Sequence, residues 1–414
     1  MNKLIEYMNQ SFAPKMNKLT RNAWVSAIQE AIMAVLPLVL VGSLITLVMI
    51  LNDFISNMPN LQPISDFSFG LMSLFISFLI PYFIMEKLKK NDRKLVAGLT
   101  GAAMFLFLLS PNFTEDGQII FTFERFGANG MFVAIIVGLF VSVVFKLFSK
   151  MSFFKDSSSL PDFIIVWFDT IIPITLLLFV AWLFTFVGNL DLYAFILSLF
   201  QPLNQIGQSL IGFVLITFIS VFLYSFGISP WALYPIIFPI WMAGIEQNAS
   251  LLSQGADSIF IHTFETMMAW IWIGGMGTTL PLVIIMLLIG KSNHLKAISR
   301  VTIVPSIFNI NEPVVFGAPV AYNPILMIPM WLNGIMIPLI TYLVLSMGVI
   351  TLPAEVMQLW YVPVGISTYL VNADISGLLL LLINFAVSFI IWYPFVKVYD
   401  NQKVNEERGT QDEG

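Results

Sequence analysis

The chain has no cysteine, two histidines, and charged side chains at only 10% of its 414 positions. Without cysteine there are no disulfides and no thiolate metal sites. With so little charge and 58% hydrophobic residues, the chain cannot dress a soluble domain in polar surface. It reads as an all-α polytopic membrane protein. It also has no basic patch to support a nucleic-acid partner, and its net charge of −5 sits mostly in loops and in the tail. The polar, amphipathic start from Met1 to Lys18 has no short apolar region with a small-residue cleavage site, so insertion through the chain's own spans is expected. There is no internal repeat, soluble domain or low-complexity segment.

What is present is a series of apolar windows of spanning length, near residues 31–51, 66–86, 95–110, 128–148, 163–188, 206–228, 267–290, 325–349 and 377–396. A shorter one, Trp231 to Gly244, carries Pro235 and Pro239. Lys3, Lys15, Lys18 and Arg21 precede the first window, residues 52–64 have no Lys or Arg, and Lys87, Lys89, Lys90, Arg93 and Lys94 follow the second. Lys291, Lys296 and Arg300, then Lys397, Lys403 and Arg408, continue the alternation only if the short segment crosses. The positive-inside rule then predicts about ten spans with both termini cytoplasmic. Residues 1–160, extending to about 190, form an expected N-terminal half. Residues 191–400 form a C-terminal half and 401–414 a cytoplasmic tail. The polar stretch 150–160 is the expected boundary.

Two stretches fit neither span nor loop, Val304 to Asn323 and Leu352 to Asp374. Each is apolar and broken by Pro and Gly, which is the pattern of re-entrant hairpins that meet at a midplane site. The first contains Asn309-Ile-Asn311-Glu312-Pro313. Proline removes backbone donors and a carboxylate is costly in hydrocarbon, so such a sequence belongs beside a polar cavity.

This run closely resembles the FNINEP signature of the lactose/cellobiose/diacetylchitobiose-type enzyme IIC permeases of the bacterial sugar phosphotransferase system. Weaker similarities lie at Leu36-Pro37-Leu38 with Gly42-Ser43, at Gln201-Pro202-Leu203 to Gly207, at Ile273 to Leu280 (the family's IGGSGATL) and at Trp360-Tyr-Val-Pro363. The resemblance covers nearly the whole chain. It implies the enzyme IIC glucose-superfamily-like fold, about ten helices plus hairpins near 304–323 and 352–374, in a bacterial cell membrane. It also implies a homodimer with dimer contacts in the first half and the sugar in the second. The bound β-disaccharide is phosphorylated by a phosphocysteine on a separate IIB subunit, itself supplied by IIA. The lack of cysteine here agrees with that division. No metal or organic cofactor is indicated.

Under this resemblance Glu312 is the acceptor or general base for the sugar hydroxyl; the alternative is a carboxylate that pairs with freed backbone donors of the hairpin. Asn311 and Asn309 have amides able to bond sugar or hairpin. Trp360 suits stacking on a pyranose face, or an interfacial belt. Gly275 in the Gly274-Gly275-Met276-Gly277 turn lets backbone approach a sugar or another helix. Asp169 is read as a polar wall residue. Ser229 stands at the position of a family histidine implicated around the same hydroxyl, and it cannot act as a base near neutral pH. Met276 replaces the family serine, and Gln29-Glu30 replaces Arg-Asp. His262, His294, Glu246, Glu265, Glu124 with Arg125, and the tail charges are expected to be solvated. Rival readings are a proton-coupled secondary sugar transporter, with Glu312 carrying the proton, and a sugar sensor that does not transport.

Overall fold

A computed structural model describes residues 14–15, 18, 21–50, 59–152, 161–318 and 320–412. Most of the Met1 to Lys18 start, most of the loop after the first window, residues 153–160 of the expected boundary, and Pro319 lie outside the described residues.

The chain divides into two compact units, Leu19–Asn204 with Tyr234–Pro239, and Gln205–Leu233 with Ile240–Gly414. The first unit is built from α1 (Ala23–Ile50), α2 (Gln62–Ser68), α3 (Met72–Lys87), α4 (Lys94–Leu108), α5 (Met131–Phe148) and α6 (Asp162–Trp182). A two-stranded hairpin, β1 (Asn112–Phe113) with β2 (Ile119–Ile120), follows α4. Apolar helices gain little hydrophobic drive from one another in lipid, so small residues that let backbones approach decide which faces meet. A Cβ on Gly101 of α4 would lie 2.2 Å from the Ser77 carbonyl oxygen of α3. That contact exists only because residue 101 has no side chain.

Asp169 in α6 is almost fully buried, and its charge is met within this unit. Arg93, at the N-cap of α4, donates from Nη2 to Asp169 Oδ2 at 3.0 Å and from Nη1 to the Phe148 carbonyl at 3.2 Å, and Ser152 Oγ donates to Asp169 Oδ1 at 3.2 Å. Lysine at 93 would keep the charge but lose the planar fork. Arg93→Lys is therefore expected to lower stability by about 1–2 kcal/mol, read as a thermal shift of detergent-purified protein. An unchanged midpoint would show that the fork does not matter. Arg125, expected in solvent, instead donates to both oxygens of Asp191 at 2.6 and 3.2 Å. Partial burial works to raise the Asp191 carboxyl, but Arg125 and the Ala194 N–H outweigh it and hold the group below the usual carboxylate range. The pair's support is present above that range and fades as pH falls through the lowered value.

The second unit begins at the end of α7 (Leu192–Gln208), which breaks at Ser209 with a bend of 81° into α8 (Leu210–Ser225). The apolar window expected at 206–228 thus starts on a break. There follow α9 (Tyr234–Ser253), α10 (Phe264–Thr266) running into a π turn (Met267–Ile271), α11 (Leu280–Ile289), α12 (Asn293–Ile307), α13 (Glu312–Gly317), α14 (Pro324–Ser346), α15 (Ile366–Asn372) and α16 (Ser376–Asp412). The window at 267–290, expected as one span, is two pieces separated by the turn 272–279. Among the described residues six helices are long and apolar enough to cross a membrane, or seven if the bent pair counts as one. The core of this unit gathers Leu282 and Met286 of α11, Leu295 of α12, Val314 of α13, Leu326 of α14 and Trp392 of α16.

Candidate functional site

Three interrupted segments of the second unit meet, and two asparagines join them. Asn309 has a positive φ of 60°, a conformation that asparagine tolerates better than most side chains. Its Oδ1 accepts from the Gly274 N–H at 3.0 Å, and its Nδ2 donates to the Trp360 carbonyl at 3.2 Å. Asn311, buried, donates from Nδ2 to the Met276 carbonyl at 2.7 Å and accepts at Oδ1 from the Tyr224 hydroxyl at 3.3 Å. The turns at 274–279, 308–311 and 357–363 are thereby one junction. Removing the Asn309 amide without straining its backbone isolates these bonds, because glycine takes the same φ at no steric cost. Asn309→Gly is expected to cost about 1–2 kcal/mol, read as a lower thermal midpoint.

Several other carbonyls of the broken 267–279 segment are taken by side chains, as interrupted backbone buried among apolar residues requires. Thr278 Oγ1 donates to the Ile271 carbonyl at 2.9 Å, Thr279 Oγ1 to that of Gly274 at 2.7 Å, and Thr368 Oγ1 to that of Ala269 at 2.7 Å. One face of α16 completes the set. Asn384 Nδ2 donates to the Trp270 carbonyl at 2.9 Å, and Ser388 Oγ and Trp392 Nε1 both donate to the Thr278 carbonyl, at 3.1 and 3.0 Å. Positions four apart on a helix share a face, so 384, 388 and 392 act as one edge.

Against this background Glu312 stands out. It opens the six-residue α13, its side chain is exposed, and no cation pairs with it among the described residues. It interacts electrostatically with the buried Tyr224 hydroxyl. The freed Gly274 N–H is taken by Asn309, and carbonyls at 269–271, 274, 276 and 278 by asparagines, threonines and α16, none of them by Glu312. Gly275 is buried, with φ of 103°, and a Cβ there would come within 2.5 Å of Asn311 Cγ. Trp360 is half-buried and meets Phe264 edge-on, at a centroid distance of 6.0 Å. Ser229 is exposed, in the loop after α8. That loop is tied to the segment after α13, because Tyr322 donates its N–H to the Ser225 carbonyl at 3.0 Å and its hydroxyl to the Phe226 carbonyl at 2.5 Å.

Glu312, Asn311, Gly275 and Trp360 are thus brought to one junction, with the start of the Ser229 loop fastened through Tyr322 to the segment that follows α13. Asp169 is held by Arg93 and Ser152 in the other unit. Two expectations of solvated residues are corrected. His262 is fully buried, with Nδ1 2.7 Å from the Gly207 carbonyl, and Glu265 is fully buried, with Oε1 accepting from the Met357 N–H at 3.1 Å. Trp241, Trp270 and Trp272 are buried. A cavity of about 540 Å³ lined by Asp257, Tyr342, Ser346 and Thr351, among others, shares no residue with the junction.

A family model described as "Phosphotransferase system, EIIC" matches residues 29–334, a range that contains the Asn-Glu-Pro turn. The chain belongs to the phosphotransferase system EIIC family. It is 30% identical to the cellobiose-specific EIIC component of Geobacillus stearothermophilus, over 99% of this chain and 97% of that one. It is 26% identical to the oligo-beta-mannoside-specific EIIC component of Bacillus subtilis (strain 168), over 98% and 96%. The crystal structure of the transporter ChbC, the IIC component from the N,N'-diacetylchitobiose-specific phosphotransferase system, matches with a TM-score of 0.84 at 27% identity, over 97% of this chain and 99% of that one. The lactose-specific EIICB component of Staphylococcus haemolyticus (strain JCSC1435) is 27% identical over 100% of this chain and 73% of its own length. As an EIIC-family sugar permease, the chain is a multi-pass membrane protein.

The sequence reading missed Tyr224 and Tyr322 as partners of the turn. Both are hydroxyl-bearing residues placed in otherwise apolar runs, which is the one local signal that marks them.

Proposed function

We propose that this EIIC permease carries a β-linked disaccharide of the cellobiose, lactose or diacetylchitobiose type inward, and that Glu312 binds or deprotonates the hydroxyl that accepts phosphate from the phosphocysteine of a separate IIB. The observation that carries the reading is the exposed carboxylate of Glu312, with no cation pairing to it among the described residues, beside a junction where Asn309 and Asn311 are both engaged. A group left ionisable beside a membrane-embedded turn is a functional one by default. Asn311 and the Gly275 backbone shape its surroundings, Trp360 supplies a ring for a pyranose face, and Ser229 contributes a hydroxyl that can donate and accept. Asp169 enters only as a residue whose fold role is already accounted for. The same reading includes about ten spans, with the short segment crossing, two re-entrant hairpins, cytoplasmic termini, and a homodimer built on the N-terminal half.

The test is uptake into vesicles that contain the purified permease, with and without IIB and IIA. The expected result is accumulation of phosphorylated sugar only with both partners present. Accumulation of unmodified sugar under a proton gradient without IIB would replace this reading by secondary transport, and binding without flux would replace it by a sensor.

A further inference from the structure

The tail charges were expected to be solvated, yet Glu407, together with Asp400 just before the tail, is engaged with the start of the helix that leads to the Asn-Glu-Pro turn. Asp400, 5% exposed, accepts from the Lys291 N–H at 2.8 Å and the Ser292 N–H at 2.9 Å. Glu407 accepts from the Asn293 N–H at 3.1 Å and the His294 N–H at 3.0 Å. Four successive backbone donors at the start of α12 are taken by four carboxylate oxygens of α16. A helix start offers four such orphan donors and a partial positive charge, so two carboxylates hold it in both direction and register.

Positions 400 and 407 lie two turns apart on one face, further along the same helix α16 that binds Trp270 and Thr278 through Asn384, Ser388 and Trp392. The last helix therefore grips both sides of the junction. At one place it holds the carbonyls of the broken 270–278 segment, to which Asn309 and Asn311 are bonded. At the other it holds the start of α12, which runs 15 residues and ends at Ile307, immediately before those two asparagines and Glu312. Between the two grips, Leu295 of α12 packs in one core with Trp392, Val396 and Tyr399 of α16. A helix is stiff along its axis, so the axial position of α12 is passed to the turn at its far end.

We infer that Asp400 and Glu407 are positioning residues for sugar binding, which set the place of Asn311 and Glu312 by fixing α12 against α16. The inference rests on the reading of the Glu312 turn as the sugar site. Two measurements on detergent-purified full-length protein separate the two claims. The first needs no sugar. In Asp400→Ala, hydrogen–deuterium exchange of the amides of Val314 and Val315, which bond to the Asn311 carbonyl, is expected to rise about tenfold, with exchange in α3–α5 unchanged. Unchanged exchange at 314–315 would overturn the coupling whatever the site binds.

The second is titration calorimetry with cellobiose, lactose and N,N'-diacetylchitobiose, using the sugar that wild type binds most tightly. Asp400→Ala is expected to weaken binding about tenfold in wild type and less than about twofold in a Glu312→Gln background, because the group being positioned is already impaired there. The isosteric Asp400→Asn and Glu407→Gln, each keeping one acceptor oxygen, should show a smaller loss of about two- to threefold, and they serve if the alanine variant does not fold. Equal losses in both backgrounds would make Asp400 merely structural and overturn the inference. Unchanged affinity in Glu312→Gln alone, or no binding of any of the three sugars to wild type, would overturn the sugar-site reading and the positioning role with it, while leaving the exchange result standing.

Discussion

Glu312→Gln is expected to lower IIB-dependent phosphorylation by about 10²–10³-fold in kcat, while sugar binding weakens by only about tenfold. Glutamine keeps the size and one acceptor oxygen of the side chain, so most contacts to a hydroxyl survive in the ground state. What it cannot do is take a proton as the hydroxyl attacks phosphorus, and general base assistance of that kind contributes about 10²–10⁴-fold. The exposed, unpaired setting of Glu312 makes the split between kcat and affinity informative, because no salt bridge among the described residues is broken by neutralising it. Calorimetry and a phosphorylation assay with IIA and IIB measure the two quantities. Weakened binding with an unchanged kcat would assign Glu312 to binding alone and remove it from the chemistry.

Gly275→Ala should be strongly damaging to the junction, with a loss of about 2–6 kcal/mol. Of this, backbone strain contributes about 1–3 and overpacking about 1–3. The φ of 103° is a region L side chains rarely adopt, and the new Cβ would lie 2.5 Å from Asn311 Cγ, in a side chain pinned at both ends by Met276 and Tyr224. Relief requires Asn311 to move, which opens the junction. Gly117→Ala is the control, since Gly117 has φ of 79° in the β1–β2 turn with nothing within 4 Å of the added methyl. The difference in thermal midpoint between the two variants isolates the clash at Asn311. Equal shifts would mean that residue 275 demands only a backbone conformation and that the approach to Asn311 is soft.

The parts of this molecule that could be read in advance are those with a local cause. Proline, asparagine and an acid in an apolar run force an interruption; of the stretch expected from Val304 to Asn323, residues 304–307 still belong to α12, and the irregular backbone lies at 308–311 and 320–323, either side of α13. The stretch 352–374 is likewise irregular up to α15. The interruption at 272–279 was read as part of one span, because its glycines and threonines leave the mean hydropathy high and glycine permits a turn without announcing one. The amphipathic α7 escaped for the opposite reason. Gln201, Asn204, Gln205 and Gln208 interrupt its apolar run, although one apolar face remains.

Charged and polar residues outside the motif were the least legible. Arg125, His262, Glu265 and Glu407 all carry sequence contexts typical of solvated loops, and each is engaged through a partner far along the chain. Burial of His262 and Glu265 is favourable only when a specific partner is delivered to each, and delivery is a property of packing.

By itself the sequence determined that the chain lives in a membrane, that it must break near Asn309–Pro313, and which residue types are available at the break, since composition and proline or glycine chemistry act within a few residues. Only the tertiary structure decided which groups meet. Asn311 finds Met276 across 35 residues, Asn309 finds Trp360 across 51, and Asp400 finds Lys291 across 109. A broken backbone creates unsatisfied donors and acceptors wherever it occurs, but the partner that satisfies each is chosen by how helices pack, and no local pattern records that choice.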